Sequence, residues 1–102
     1  PEEITKICNL AGKTKKQTIL DVVVAMRDRK NRIVVLIDSI CPVLFIIGKE
    51  DPVLSLEVSV AQINFPSHST VHILANVGHM GMIEAPEVTF EMIRNFIRLT
   101  EI

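Results

Sequence analysis

The apolar run Pro42-Val43-Leu44-Phe45-Ile46-Ile47, followed by Gly48, restricts the fold more than any other feature of this sequence. Its aromatic and β-branched side chains favour a strand. A strand without alternating polar positions is buried on both faces, as in a parallel sheet that helices cover. The run therefore predicts an α/β fold in which this strand lies between layers of helices.

A second strand is predicted at Thr70–Ala75, where apolar and polar residues alternate as they do near a sheet edge. Between the two strands, Ser55 is expected to cap a helix over Leu56–Asn64. A strand, a helix and a second strand in succession predict parallel strands joined by a right-handed crossover. Because two strands are too few for a stable sheet, we expect the open edge of Val43–Ile47 to recruit a further partner.

Helical periodicity predicts the remaining elements. Gly12 is expected to end the first helix, and Cys41-Pro42 favours a helical turn over a strand in the preceding β-branched segment. Ile93, Phe96 and Ile97 are expected to form the inward face of the last helix. These segments are Pro1–Ala11, Lys16–Arg29, a turn within Ile33–Ile40, and Pro86–Leu99.

Composition excludes several classes of function. The net charge of −1 gives no electrostatic reason to expect a nucleic acid or a membrane surface as a partner. No apolar stretch approaches the roughly 20 residues of a membrane span. Cys8 and Cys41 match neither a disulfide framework nor a zinc spacing, so we expect buried thiols in a reducing, cytoplasmic compartment. No cluster of side chains predicts a metal or a cofactor.

Two titratable residues follow the predicted strands. Asp51 comes shortly after Gly48, and His79 directly follows Gly78. Ligands of open α/β sheets bind beyond the carboxyl ends of the strands, and neighbouring parallel strands lie about 4.8 Å apart. We therefore expect Asp51 and His79 to meet, so that the carboxylate orients the imidazole and leaves its other nitrogen free to accept a proton.

Two segments around these residues resemble a known family. They read Cys41-Pro42-Val43-Leu44-Phe45-Ile46-Ile47-Gly48-Lys49-Glu50-Asp51-Pro52-Val53 and Asn76-Val77-Gly78-His79-Met80-Gly81-Met82-Ile83-Glu84-Ala85-Pro86-Glu87. Both resemble the segments of α/β-hydrolases that carry the acid and the histidine of the catalytic triad. In that family a glutamate and a proline follow the histidine and open the final helix. Ala25-Met26-Arg27 resembles the end of the family's cap region.

The resemblance implies that residues 33–102 form the carboxy-terminal βαβα part of an α/β-hydrolase core and that residues 1–32 form the end of its helical cap. Asp51 would be the acid and His79 the base of a serine-type hydrolase that acts on an ester, an amide or a similar small substrate. Glu84, just before Pro86, would favour the start of the last helix electrostatically.

The sequence departs from the family in one respect, because it contains no G-x-S-x-G elbow and no oxyanion-hole segment. No serine has the required flanking glycines, so this chain alone is expected to be inactive. The serines are Ser39, Ser55, Ser59, Ser67 and Ser69. The nucleophile is expected in a missing amino-terminal half, and a second copy of the chain is the other expected partner.

Two alternatives remain at the level of sequence. Relatives such as haloalkane dehalogenases and epoxide hydrolases carry an aspartate nucleophile at the same elbow. Other members of the family serve as receptors or binding modules without turnover. The residues present here agree with all three interpretations.

Overall fold

A computed structural model describes residues 1–101 and divides the chain into two compact units, Pro1–Asn31 and the residues from Arg32 onward. The first unit contains α1 and α2, and the second contains the remaining elements. The bounds are α1 Glu2–Lys13, α2 Lys16–Asp28, α3 Ile33–Ile37, β1 Val43–Gly48, α4 Leu56–Val60, β2 Ser69–Leu74, α5 Gly81–Glu84 and α6 Pro86–Thr100.

The first unit corrects one sequence prediction, because Gly12 does not end α1. The helix continues to Lys13 and ends at Thr14, whose hydroxyl donates to the Leu10 carbonyl at 3.0 Å and whose N–H donates to the Ala11 carbonyl at 3.1 Å. Glycine is costly inside a helix but not forbidden. The apolar faces of α1 and α2 remain exposed, with Ile4 at 61% and Met26 at 71%. Their identity as a cap region stays a prediction.

The second unit has the predicted α/β architecture. β1 and β2 are parallel, in a register that pairs Val43 with Ser69 and Gly48 with Leu74. The short helix α4 connects them, and α4, α5 and α6 each contact β1. Parallel pairing brings the carboxyl ends of both strands to the same edge of the sheet.

Burial in this sheet is lower than the sequence predicts. Ile47 is the one buried residue of β1, and the other residues of β1 are partly exposed. Within the described chain, the helices therefore cover the sheet incompletely. The buried apolar residues Ile47, Leu74 and Val77 all lie at the carboxyl ends of the strands. The core is therefore densest where Asp51 and His79 emerge.

The last helix faces this core differently from the prediction. Thr89 is its buried residue, whereas Ile93 and Ile97 remain 41% and 49% exposed. The Thr89 hydroxyl donates to the Gly81 carbonyl at 3.1 Å, which ties α6 to α5. Of the predicted inward face, Phe96 alone is partly buried, and the hydrogen bond from Thr89 anchors the helix.

Local signals explain the other helices. α3 confirms the helical turn predicted before Pro42, and the Ser55 hydroxyl caps α4 by accepting from the Val58 N–H at 3.3 Å. α4 is shorter than predicted, and α5 was not predicted at all. Within residues 1–101, no helix combines the length and apolar character that a membrane span requires.

Candidate active site

Asp51 lies in a tight turn just beyond β1. Its N–H donates to the Gly48 carbonyl at 3.3 Å. Its Oδ1 atom accepts from the N–H groups of Val53 and Leu54 at 2.8 and 3.0 Å. An aspartate that bonds to the backbone two and three residues ahead stabilises a turn. The local sequence therefore fixes one carboxylate oxygen and leaves Oδ2 directed elsewhere.

His79 supplies the partner of that second oxygen. β2 ends at Leu74, and the chain turns at Asn76, which has a left-handed φ of 58°. Asparagine tolerates this conformation better than most residues. The loop then brings His79 Nδ1 to 2.9 Å from Asp51 Oδ2. The expected contact between the two residues is present, whereas their catalytic role stays a prediction.

Electrostatics settles which group donates in this contact. The N–H of Leu54 lowers the pKa of the Asp51 carboxyl most strongly, burial opposes this, and the bonds from His79 and Val53 lower it further. An ionised carboxylate accepts hydrogen bonds and cannot donate them. Nδ1 of His79 is therefore the donor in this contact, and in the corresponding tautomer Nε2 is the nitrogen that can accept a proton.

The two side chains differ in their exposure to solvent. The Asp51 side chain is 10% exposed, whereas that of His79 is 48% exposed. Among residues 1–101, no hydrogen bond engages Nε2. The acid is thus enclosed behind the imidazole, and the basic edge of the ring is open to a reacting group.

Gly48 allows the two loops to lie this close. A Cβ atom at this position would overlap the Gly78 carbonyl oxygen and lie 2.6 Å from that of Val77. The loops are also joined by backbone hydrogen bonds of 2.9 Å from Lys49 to Leu74 and from Glu50 to Val77. The sheet pairing therefore continues past the strands and carries the acid and the base with it.

Glu84 has a role that the sequence prediction did not include. Its carboxylate accepts from the N–H groups of Gly78 and Met80, at 2.9 and 3.0 Å. It therefore binds the histidine loop on both sides of His79 instead of acting only as a favourable charge at the start of α6. The sequence signal was ambiguous, because a glutamate just before a helical proline suits the helix start equally well.

A cleft of about 240 Å³ adjoins the acid–base pair. Its walls combine apolar and polar surface, and Ser59 contributes a hydroxyl. The lining residues are Ile46, Ile47, Gly48, Asp51, Leu54, Ser59, Leu74, Val77, Gly78, His79 and Gly81. In a small-molecule site, polar groups of this kind fix the orientation of the ligand.

No serine of the described chain is hydrogen-bonded to His79, and four of the five bond elsewhere. Ser39 donates to Cys41, Ser55 caps α4, Ser67 contacts His68, and Ser69 donates to Ile63. A serine nucleophile requires its base within hydrogen-bond reach. The residues described here therefore contain an acid and a base without a serine paired to them.

The remaining candidates concern cysteines and metals. Cys8 and Cys41 are free thiols, but both are exposed, so the prediction that they are buried was wrong. Within residues 1–101 there is no group of three or more side chains arranged to hold a metal ion.

Comparison with known proteins adds no assignment. No protein-family model matches the chain, and no curated protein is significantly similar to it.

Proposed function

We propose that Asp51 and His79 are the acid and the base of a serine-type α/β-hydrolase that cleaves small esters, amides or similar substrates. The observation that supports this most strongly is the 2.9 Å bond between Asp51 Oδ2 and His79 Nδ1, with the opposite edge of the imidazole open. The pair lies at the carboxyl ends of parallel strands, where α/β folds bind their ligands.

The chemistry follows from the tautomer. As the nucleophile's oxygen attacks the substrate carbonyl, its proton passes to Nε2 of His79, and Asp51 stabilises the resulting imidazolium. Nε2 then returns the proton to the departing alcohol or amine. In the second half of the reaction, the same nitrogen activates a water molecule that hydrolyses the acyl intermediate.

The proposal places the nucleophile and the oxyanion hole outside these 102 residues. β1 is a suitable place for a partner to join, because β2 occupies only one of its edges. We propose that a preceding segment of the same protein, or a second copy of the chain, pairs with the open edge. The chain alone is expected to show no turnover.

A labelling experiment tests the proposed reaction. The natural gene product that contains this chain is isolated and treated with a fluorescent phosphonate, and its hydrolysis of p-nitrophenyl acetate is measured. We expect labelling and turnover in that protein, no labelling of the 102-residue chain, and loss of turnover in His79→Asn. His68→Asn is the matched control and should leave the activity unchanged.

Other outcomes identify the alternatives. Absence of labelling together with turnover of a haloalkane or an epoxide would indicate an aspartate nucleophile. Absence of both would leave a binding module and refute the hydrolase.

Fractionation of source cells tests the predicted cytoplasmic location, which the two free thiols support.

A further inference from the structure

We propose that Glu84 is a positioning residue that holds the backbone around His79 and so keeps Nδ1 directed at Asp51. The consequence for catalysis rests on the proposed function, but the positioning itself is measurable without turnover. Nothing in the order of residues along the chain separates this role from a simple charge at the start of α6.

The Glu84 carboxylate forms two hydrogen bonds to the histidine loop. Oε1 of Glu84 accepts from the Gly78 N–H at 2.9 Å, and Oε2 accepts from the Met80 N–H at 3.0 Å. These two amides flank His79 in sequence, so one carboxylate fixes the peptide groups on both sides of the imidazole-bearing residue. Hydrogen bonds to an ionised acceptor are stronger than neutral ones.

The Glu84 carboxylate also fits closely against Gly78. A Cβ atom at position 78 would lie 3.2 and 3.3 Å from the two carboxylate oxygens. Such a contact is tighter than an ordinary van der Waals separation, so a side chain there would displace Glu84 or the loop. Glycine at this position therefore permits the carboxylate to approach the backbone directly.

The backbone of Glu84 is itself held in place by hydrogen bonds within and around α5. Its N–H donates to the Met80 carbonyl at 2.9 Å within α5. The Gly81 carbonyl, in the first turn of α5, accepts both the Ala85 N–H at 2.8 Å and the hydroxyl of buried Thr89 at 3.1 Å. The carboxylate thus transmits the position of α6 to the histidine loop.

Glu84→Gln tests the proposal with little change of shape. Glutamine replaces one acceptor oxygen with an NH₂ donor, which would face one of the two backbone N–H groups. In ¹⁵N-resolved NMR of the 102-residue chain, we expect the variant to lose the low-field Nδ1–H signal of His79 and to shift its imidazole toward the Nε2–H tautomer. The amides of Gly78 and Met80 should exchange about tenfold faster, a factor that corresponds to about 1.4 kcal/mol.

Glu87→Gln is the matched control. It removes the same charge three residues further on, from a side chain that makes no hydrogen bond or ion pair within the described residues. It should keep the wild-type imidazole signals. A long-range charge effect would change both variants alike, whereas the positioning role changes only Glu84→Gln.

The outcomes separate this proposal from the proposed function. Unchanged His79 tautomer and amide exchange in Glu84→Gln would overturn the positioning role. If that variant fails to fold, slow exchange of the Gly78 and Met80 amides in the wild-type chain supports the role, and fast exchange overturns it. Failure of phosphonate labelling in the gene product, with the NMR differences present, would refute the hydrolase and leave the positioning role standing.

Discussion

The two oxygens of the Asp51 carboxylate carry different functions. Oδ1 accepts two backbone N–H groups and shapes the turn after β1, whereas Oδ2 accepts Nδ1 of His79. A substitution at this residue can therefore spare the turn and still change the imidazole. This separation makes Asp51 the most informative single residue of the site.

Asp51→Asn is expected to reverse the tautomer of His79. The amide oxygen can still accept from Val53 and Leu54, but its NH₂ group would face Nδ1, which must then be unprotonated. If Asp51 is the acid of the proposed hydrolase, we expect kcat of the gene product to fall by a factor on the order of 10⁴, the usual effect of neutralising the acid of a Ser-His-Asp triad. Steady-state kinetics and imidazole ¹⁵N shifts measure the effect, and undiminished kcat would contradict it.

The stability of the chain should depend on the charge of Asp51. Because its pKa is lowered in the folded state, the carboxylate stabilises the fold at pH values above the ordinary aspartate pKa of about 4. That contribution is lost as the pH falls through the lowered pKa. Denaturant unfolding between pH 6 and strongly acidic pH should therefore show a steeper loss of stability for wild type than for Asp51→Asn.

Asp38→Asn is the control for this measurement, because the Asp38 carboxylate accepts no hydrogen bond within the described residues. Its acid profile should follow that of wild type. Parallel profiles for wild type and Asp51→Asn would mean that the carboxylate is not stabilised in the folded chain.

Residue types and their order predicted the contact between Asp51 and His79, but not the hydrogen bonds of Glu84. Asp51 and His79 follow strands that are recognisable from their composition, and parallel pairing brings strand ends together. The bonds of Glu84 depend on a four-residue helix that reverses the chain toward Gly78. Such a contact becomes visible only in the folded structure.

At the scale of secondary-structure elements, the glycine that ends β1 has a steric requirement that Gly12 in α1 does not share. The carbonyls of Val77 and Gly78 pass over Gly48, whereas the space around Gly12 is open within 4 Å. Replacement by alanine is therefore expected to have opposite effects on stability at Gly48 and at Gly12.

Gly48→Ala is expected to destabilise the second unit by about 1–3 kcal/mol, the usual range for forcing a methyl group into a packed position. Gly12→Ala should be neutral or stabilise α1 by up to about 1 kcal/mol, because alanine is the better helix former. Thermal unfolding followed by circular dichroism measures both variants. Equal stabilities of the Gly48→Ala and Gly12→Ala variants would show that the backbone does not pass as closely over Gly48 as described.

The elements that the sequence predicted best are those with strong local signals. The apolar run of β1, the capping Ser55 and the proline that opens α6 each specify structure within a few residues. α5 was missed because four residues are too few to show a helical period. The burial of β1 was overestimated because it depends on the elements that pack against the strand, and the sequence of the strand does not specify those elements.

At the scale of the whole molecule, one edge of β1 has no strand paired to it among residues 1–101. Val43 and Lys49 direct their N–H groups to β2, so the alternation along a strand directs those of Leu44 and Ile46 to the open edge. An edge of this kind, in an apolar strand, recruits other chains. The predicted partner would bind here.

We expect the wild-type chain to sediment as an assembly larger than its 11.4 kDa monomer. Leu44→Pro removes a donor from the open edge and should yield monomers while the pairing with β2 persists. Phe45→Pro, its control, removes a donor on the β2 side and should unfold the sheet. A folded wild-type monomer in analytical ultracentrifugation would contradict the proposed edge pairing.

The bonds from Lys49 and Glu50 have a consequence for how the chain finds its native alignment. These loop hydrogen bonds keep the same register as the pairing of β1 with β2. If one strand shifted by two residues, the His79 imidazole would therefore move by about 6.6 Å and lie out of reach of the Asp51 carboxylate. Misaligned molecules would therefore lack the low-field imidazole proton. The intensity of that one resonance would therefore report the fraction of molecules whose strands are paired in the native register, before any substrate is known.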